Sequence, residues 1–421
     1  MSRDWFENAR YGMIIHYGSY SLLGRGEWVA NREQISMDEY RELAQSFKAE
    51  KLDFDWLLGK ARNDWGMRYA TLTTKHHDGF CLLDSKLTDF KSTNTAAKRD
   101  LVAEFIEACR KHDLRIGLYF SLNDLNTRPN ALDALERPDE CYETFIDYVH
   151  GQCRELLTNY GKFDILWYDG WWPFDGQQWR GKKLNAMARE LQPGILVNGR
   201  CGVKGDFATP EMRVTSQPGM WEACMTINNN WGYHAGDHNW KSPKEIAEML
   251  RRAAAGQGNL LLNVGPKGDG SIPAETIGIL DEVGNWLKIN GRAIYASDRF
   301  EFNLRNRGDS RADWTHHGLF SAKDKAFYLH ISSWPGDTLT MTGLECKIEK
   351  VTSLATQTEH DFTQTDGKLV VTDLAADFDT SMPVVFEFVT SDAPCIYRTG
   401  GYRNPTVTHC RYDPMPSEML G

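Results

Sequence analysis

A set of polar side chains stands where short apolar runs end, the places at which a parallel-stranded fold gathers residues onto one rim. His16 ends the run 12–15, and His76, His77 and Asp78 follow the run 71–75. Tyr119 closes 115–120, Asp169 follows 163–168, and Arg200 comes just after 195–198. Imidazoles, a phenol, a guanidinium and a carboxylate together offer donors and acceptors in fixed directions. That is what a hydroxyl-rich ligand needs for recognition.

Asp169 is the sharpest candidate for chemistry. It follows Asp164-Ile-Leu-Trp-Tyr and precedes Gly170, so a carboxylate ends an apolar strand at a flexible turn. An aspartate there could also simply cap the turn. Glycoside hydrolysis requires a second carboxyl group. Glu211, in Ala208-Thr-Pro-Glu, and Glu222, in Trp221-Glu-Ala-Cys, are both available in a stretch that reads as loop-rich. Each, taken alone, could be a solvated loop glutamate. The paired histidines also suit a metal, but neighbours on a strand point to opposite faces, and zinc needs three or four converging ligands. Without a His-Glu-x-x-His or a cysteine pair beside them, we expect no metal and no cofactor.

The elements that must hold these groups can be read from periodicity. Runs at 12–15, 69–73, 115–120, 163–168, 195–198 and 260–264 have the length and branched content of buried parallel strands. Helical patterns lie between them. Residues 100–112 place Leu101, Phe105, Ala108 and Cys109 on one face. Ser242, Pro243 and Glu245 form a capping box with proline at the first helical position. Alternating strand and helix implies a (β/α) barrel or an open doubly wound sheet. No Gly-x-Gly-x-x-Gly follows the first strand, which favours an irregular (β/α)8-like TIM barrel, of which six strands are readily placed. After Ser297 the pattern changes to short alternating runs at 327–331, 368–372 and 384–389, the mark of a small antiparallel β-sandwich. The expected division is a catalytic barrel at 1–296 and a β-sandwich at 297–421, with an irregular tail from about Thr399.

Composition removes other classes. A length of 421 residues suits two domains, and 41% hydrophobic with 25% charged residues is ordinary for a globular chain. A net charge of −10, with no basic block, argues against nucleic acid. No apolar run reaches a membrane span, so no membrane partner is expected. Nine scattered cysteines without a Cys-x-x-Cys read as reduced, buried thiols and suggest the cytoplasm. A secreted form whose signal peptide has been removed is compatible with the same sequence, as is a homo-oligomer.

The strings around these residues resemble glycoside hydrolase family 29, the α-L-fucosidases. Tyr11-Gly-Met-Ile-Ile-His16-Tyr-Gly-Ser-Tyr resembles the family's opening strand, and Thr73-Thr-Lys-His76-His77-Asp-Gly-Phe its best-known signature. Further matches are Glu27-Trp28, Gly117-Leu-Tyr119-Phe-Ser, Leu166-Trp-Tyr-Asp169-Gly, Val197-Asn-Gly-Arg200, Asn230-Trp231-Gly-Tyr and Asn259-Leu-Leu-Leu-Asn263-Val-Gly-Pro. They run in order to about Ser297. The resemblance implies a retaining exo-α-L-fucosidase acting on terminal fucose of glycans, with a C-terminal β-sandwich. It implies that Asp169 is the nucleophile and that His16, His76, His77 and Trp28 hold the sugar hydroxyls beside Glu27. Tyr119 and Arg200 would flank the reacting centre, and Trp231 would pack on the sugar's apolar edge. For the acid/base, Asp-Phe-Ala-Thr-Pro-Glu resembles a family segment that carries it, which favours Glu211 and leaves Glu222 in reserve. One departure is Asn123-Asp124-Leu125, where many relatives place a tryptophan after the aspartate.

Overall fold

A computed structural model describes residues 4–300, 317–342, 344–365, 368–379 and 381–395 of the chain. Eight parallel strands form the first unit: β1 (Tyr11–Ile15), β2 (Tyr69–Lys75), β3 (Arg115–Ser121), β4 (Ile165–Asp169), β5 (Leu196–Val197), β6 (Phe207–Ala208), β7 (Met220–Met225) and β8 (Asn259–Val264). They follow one another around the sheet in chain order, with β1 pairing both β2 and β8. A single parallel bridge, Asn198 to Phe207, joins β5 to β6 and completes the ring. This is the expected barrel, and it adds two strands to the six read from periodicity. β6 has only two residues, and β7 carries Glu222 in its middle, which breaks the apolar run.

Alternation along each strand divides the core in two. Tyr11, Met13 and Ile15 face outward into a large cluster with the surrounding helices. Ile14, Tyr69, Tyr119, Ile165, Trp167, Phe207, Cys224 and Leu261 fill the barrel, and Phe6 packs with them. Side chains two residues apart share a face, so each inward position is one step from the next layer. Gly12 is required by this filling. A Cβ there would lie 2.3 Å from the Tyr69 ring, which crosses the barrel at that level.

The helices begin as their sequences dictate. Asp100 caps Leu101–Lys111 by accepting from the amides of Val102 and Ala103 at 3.1 and 3.0 Å. Ser242 and Glu245 form the reciprocal box that opens Pro243–Ala255.

The second unit is antiparallel, as expected. Strands β9 (Asp298–Arg299), β10 (Gly318–Lys323), β11 (Ala326–Ile331), β12 (Leu339–Thr342), β13 (Ile348–Ser353), β14 (Phe362–Thr365), β15 (Lys368–Val371) and β16 (Val385–Thr390) form a five-stranded and a three-stranded sheet. Within the five-stranded sheet, Phe327 of β11 stacks on its cross-strand partner Phe388 of β16 at 4.6 Å and 3°. The tail from Thr399 lies outside the described residues. This unit docks on the barrel helices through directed bonds. Arg251 donates to the His330 carbonyl at 3.1 Å, and the Trp286 indole donates to the Pro383 carbonyl at 2.9 Å. Eight described cysteines carry free thiols, and seven of them are buried.

Gly12→Ala should lower stability by about 1–3 kcal/mol, because the Tyr69 ring and the barrel wall have to move apart. Urea unfolding reads this as a lower midpoint at unchanged m-value.

Candidate active site

The C-terminal ends of the barrel strands enclose a cavity of about 230 Å³. His16, Trp28, His76, His77, Tyr119, Asp169, Arg200, Glu211 and Trp231 all line it, so nine of the residues singled out from sequence meet at one place. Ile14, Trp167, Trp172 and Cys224 complete the wall. Glu27 faces a neighbouring cavity of about 350 Å³, and its Oε2 accepts from the Gly232 amide at 2.9 Å. It thereby fixes the loop that carries Trp231.

Asp169 ends β4 and its carboxylate is held from two sides. Tyr119 Oη donates to Oδ2 at 2.8 Å, and Arg200 Nη1 donates to Oδ1 at 2.9 Å. Burial on its own raises the carboxyl's pKa, but the Arg200 charge and the nearby His77 ring, with the two hydrogen bonds, bring it below the ordinary value. The group is therefore an anion at neutral pH. Gly170, at φ 65°, turns the chain away immediately afterwards, and a Cβ there would meet Ser121 Oγ at 2.6 Å.

Arg200 joins two carboxylates. Its Nη2 donates to Glu211 Oε2 at 2.9 Å, and its Nε donates to Thr209 Oγ1 at 2.9 Å. The guanidinium lies 4.6 Å over the Trp167 ring, a cation–π seat that fixes its plane. Burial lowers the Arg200 pKa, and the facing carboxylate of Asp169, followed by Cys224 and Glu211, more than restores it. Glu211 itself is half-exposed at the rim, just after β6.

Glu222 is placed differently from the loop position expected of it. It lies within β7, fully buried, accepting from Tyr69 Oη at 2.6 Å and Trp167 Nε1 at 2.7 Å. Trp167, not Glu222, faces the cavity. Burial pushes the Glu222 carboxyl up to about 7.

The histidines are neutral, and their partners set which nitrogen carries the proton. Ser121 Oγ gives its only hydrogen to the Asn123 carbonyl at 2.6 Å, so at 2.7 Å it accepts from His77 Nδ1. His77 Nε2, 3.7 Å from Asp169, is left as an acceptor. In the same way Asn263 gives its amide hydrogen to the Trp231 carbonyl at 2.6 Å and accepts from His16 Nδ1 at 2.6 Å. Burial lowers both rings to about 4, and His76 well below its ordinary value. Such neutral rings can accept hydrogen bonds from sugar hydroxyls without adding positive charge.

Trp172 went unrecognised in the sequence. It lies 4.9 Å from His77 and 6.1 Å from Trp28, with its carbonyl held by Asn123 Nδ2 at 3.1 Å. The only sequence signal was an aromatic pair, Trp171-Trp172, directly after Asp169-Gly170. It supplies a ring beside the Asn123 loop.

Comparison with known proteins is consistent with this arrangement. The family model described as alpha-L-fucosidase matches residues 1–292. Plasma alpha-L-fucosidase of Homo sapiens is 30% identical over 366 residues, covering 79% of this chain and 76% of the relative. Among solved structures, alpha-L-fucosidase isoenzyme 1 from Paenibacillus thiaminolyticus is similar with a TM-score of 0.82 at 34% identity, covering 92% of this chain and 98% of that one. A Bacteroides thetaiotaomicron alpha-L-fucosidase, described as a trapped covalent intermediate with 2-fluoro-fucosyl fluoride, has a TM-score of 0.80 at 26% identity. That similarity covers 92% of this chain and 95% of that one.

The buried rings make a pH prediction. Between pH 6.5 and about 4 an unfolded histidine takes up a proton that folded His77 does not, so stability falls as pH drops through that window. Glu222, raised to about 7, acts in the opposite direction, so the histidine must be isolated by difference. The melting temperature of His77→Asn relative to wild type should rise progressively from pH 6.5 to 4. A constant difference would mean that the ring titrates normally.

Proposed function

The chain belongs to the α-L-fucosidase family of glycoside hydrolases, and on that premise we propose that it removes terminal α-L-fucose from glycans with retention of configuration. The observation that carries this reading is the Asp169 carboxylate, held ionised by Tyr119 and Arg200 inside a cavity with room for one sugar ring. A pocket of that size, open at the rim beside Glu211, suits a terminal residue rather than the middle of a chain.

In the first step Asp169 attacks the anomeric carbon while Glu211 gives a proton to the departing glycosidic oxygen, through an oxocarbenium-like transition state. The product is a fucosyl ester of Asp169. In the second step Glu211 removes a proton from water as it attacks the same carbon, and Asp169 leaves as a carboxylate. Retention calls for two carboxyl groups roughly 5–5.5 Å apart. Asp169 and Glu211 accept from adjacent nitrogens of one guanidinium, which supports a short separation. Glu222 has no exposure to the cavity, which supports Glu211 over it as the proton donor. The Arg200–Glu211 bond suits the base of the second step, and in the first the proton can sit on Oε1 while Oε2 still accepts from Arg200.

The remaining wall has recognition roles. His16, His76, His77 and the Trp28 indole N–H would hold the ring hydroxyls, while Trp231 would cover the sugar's apolar edge. Glu27 acts through the Trp231 loop.

Asp169→Ala should lower turnover of nitrophenyl α-L-fucoside by about 10³-fold or more, with azide restoring part of it as the inverted fucosyl azide. Undiminished activity would end the assignment. Glu211→Ala should slow a fucosyl disaccharide far more than nitrophenyl fucoside, since only the poor leaving group needs protonation. Equal losses on both substrates would remove Glu211 from the proton-transfer role.

A further inference from the structure

Beneath the reacting groups lies a buried carboxyl that the proposed reaction does not use. Glu222 projects from β7 into the barrel interior and is sealed from the cavity by Trp167. Its two oxygens are both engaged, Oε1 by Trp167 Nε1 at 2.7 Å and Oε2 by Tyr69 Oη at 2.6 Å. Taking a carboxyl out of water without a full ion pair is costly, so its presence in an otherwise apolar layer calls for a compensating role.

Its partner explains that role. The Trp167 ring stacks on Tyr119 at 5.4 Å and 20°, and Arg200 lies 4.6 Å over the same ring. Tyr119 and Arg200 are the two groups that hold Asp169, and Arg200 also holds Glu211. Among the described residues, one indole plane thus supports both side chains that donate to the nucleophile. An indole in an apolar layer can tilt about its χ angles, and its only polar atom is Nε1, a donor and never an acceptor. A hydrogen bond at that atom fixes the tilt. Tyr69, reaching across the space that Gly12 leaves open, anchors the other end of the carboxyl to β2.

We infer that Glu222 is a positioning residue, which fixes the Trp167 plane on which Tyr119 and Arg200 are seated and so aims Asp169 at the sugar. The inference deepens the proposed function and rests on Asp169 being the nucleophile. Protonation does not disturb the arrangement, although burial raises this carboxyl to about 7. Either form keeps an acceptor for Trp167 Nε1, and the protonated form can direct its hydrogen to Tyr69 Oη.

The distinction from a proton donor is testable with two variants of similar volume. Glu222→Gln keeps an acceptor for Trp167 and a polar contact to Tyr69, whereas Glu222→Met fills the space with neither. For Glu222→Met we expect kcat to fall by about 100-fold, the scale of a small misplacement of reacting groups. The loss should be equal on nitrophenyl fucoside and on a fucosyl disaccharide, with KM within about threefold and no rescue by azide. Glu222→Gln should restore kcat to within about threefold of wild type. Three outcomes would overturn the inference: full activity in Glu222→Met, equal losses in Met and Gln, or a loss confined to the disaccharide. Should Glu222→Met not fold, Trp167→Phe keeps the stacked ring without Nε1–H and should lose about tenfold in kcat. Unchanged kcat there would equally overturn it. Asp169→Ala, measured alongside, separates the two layers. If that variant stays active, the nucleophile assignment fails. If it is inactive while Glu222→Met is fully active, only the positioning role fails.

Discussion

A partly buried guanidinium that joins a carboxylate inside the cavity to one at its rim governs the layout of this protein. Arg200 reaches Asp169 with one terminal nitrogen and Glu211 with the other, while its face rests on Trp167. Buried ion pairs seldom add net stability, because desolvating both partners offsets most of their attraction. Losing one partner is far worse than never having had the pair. The surroundings must therefore keep the three groups in register, and much of the barrel can be understood as meeting that demand. Asp169 ends β4, Arg200 follows β5, and Glu211 follows β6, so three consecutive strand ends supply them. The parallel sheet sets their spacing, and the β5–β6 bridge from Asn198 to Phe207 closes the ring next to Arg200.

The charge balance around this centre fits the chemistry proposed for it. An oxocarbenium-like transition state develops positive charge on the sugar, and any cation aimed at it works against the reaction. Three histidines surround the cavity, yet burial keeps all three rings neutral near pH 7. His16 and His77 have their Nδ1 protons committed to Asn263 and Ser121. They can then recognise hydroxyls through Nε2 without opposing the developing charge. Among the described residues lining the cavity, the cation is Arg200, and it is matched by Asp169.

Much of this was readable in the sequence, for a physical reason. Polar residues that interrupt apolar runs at strand ends carry their own signal, so His16, His76, His77, Tyr119, Asp169 and Arg200 could be grouped before any coordinates. Helix starts at Asp100 and Ser242 were equally legible, because capping is a local interaction. Glu222 was not. Its meaning depends on Tyr69 and Trp167, which are 153 and 55 residues away, and a glutamate in mid-strand hides the strand that holds it. Trp172 escaped for the same reason, since its partners His77 and Trp28 lie on other loops. The resemblance to the fucosidases supplied the functional roles of Trp28 and Trp231, which spacing alone does not reveal.

The central claim is that Asp169 forms a covalent bond to the sugar, and mass spectrometry tests it directly. The protein would be incubated with 2-fluoro-fucosyl fluoride, digested at low pH, and its peptides mapped. The expected result is one fluorofucosyl unit per chain, on the peptide that holds Asp169, with fragmentation placing it on that carboxylate. A label on Glu211, on Glu222 or on any other side chain would contradict the account.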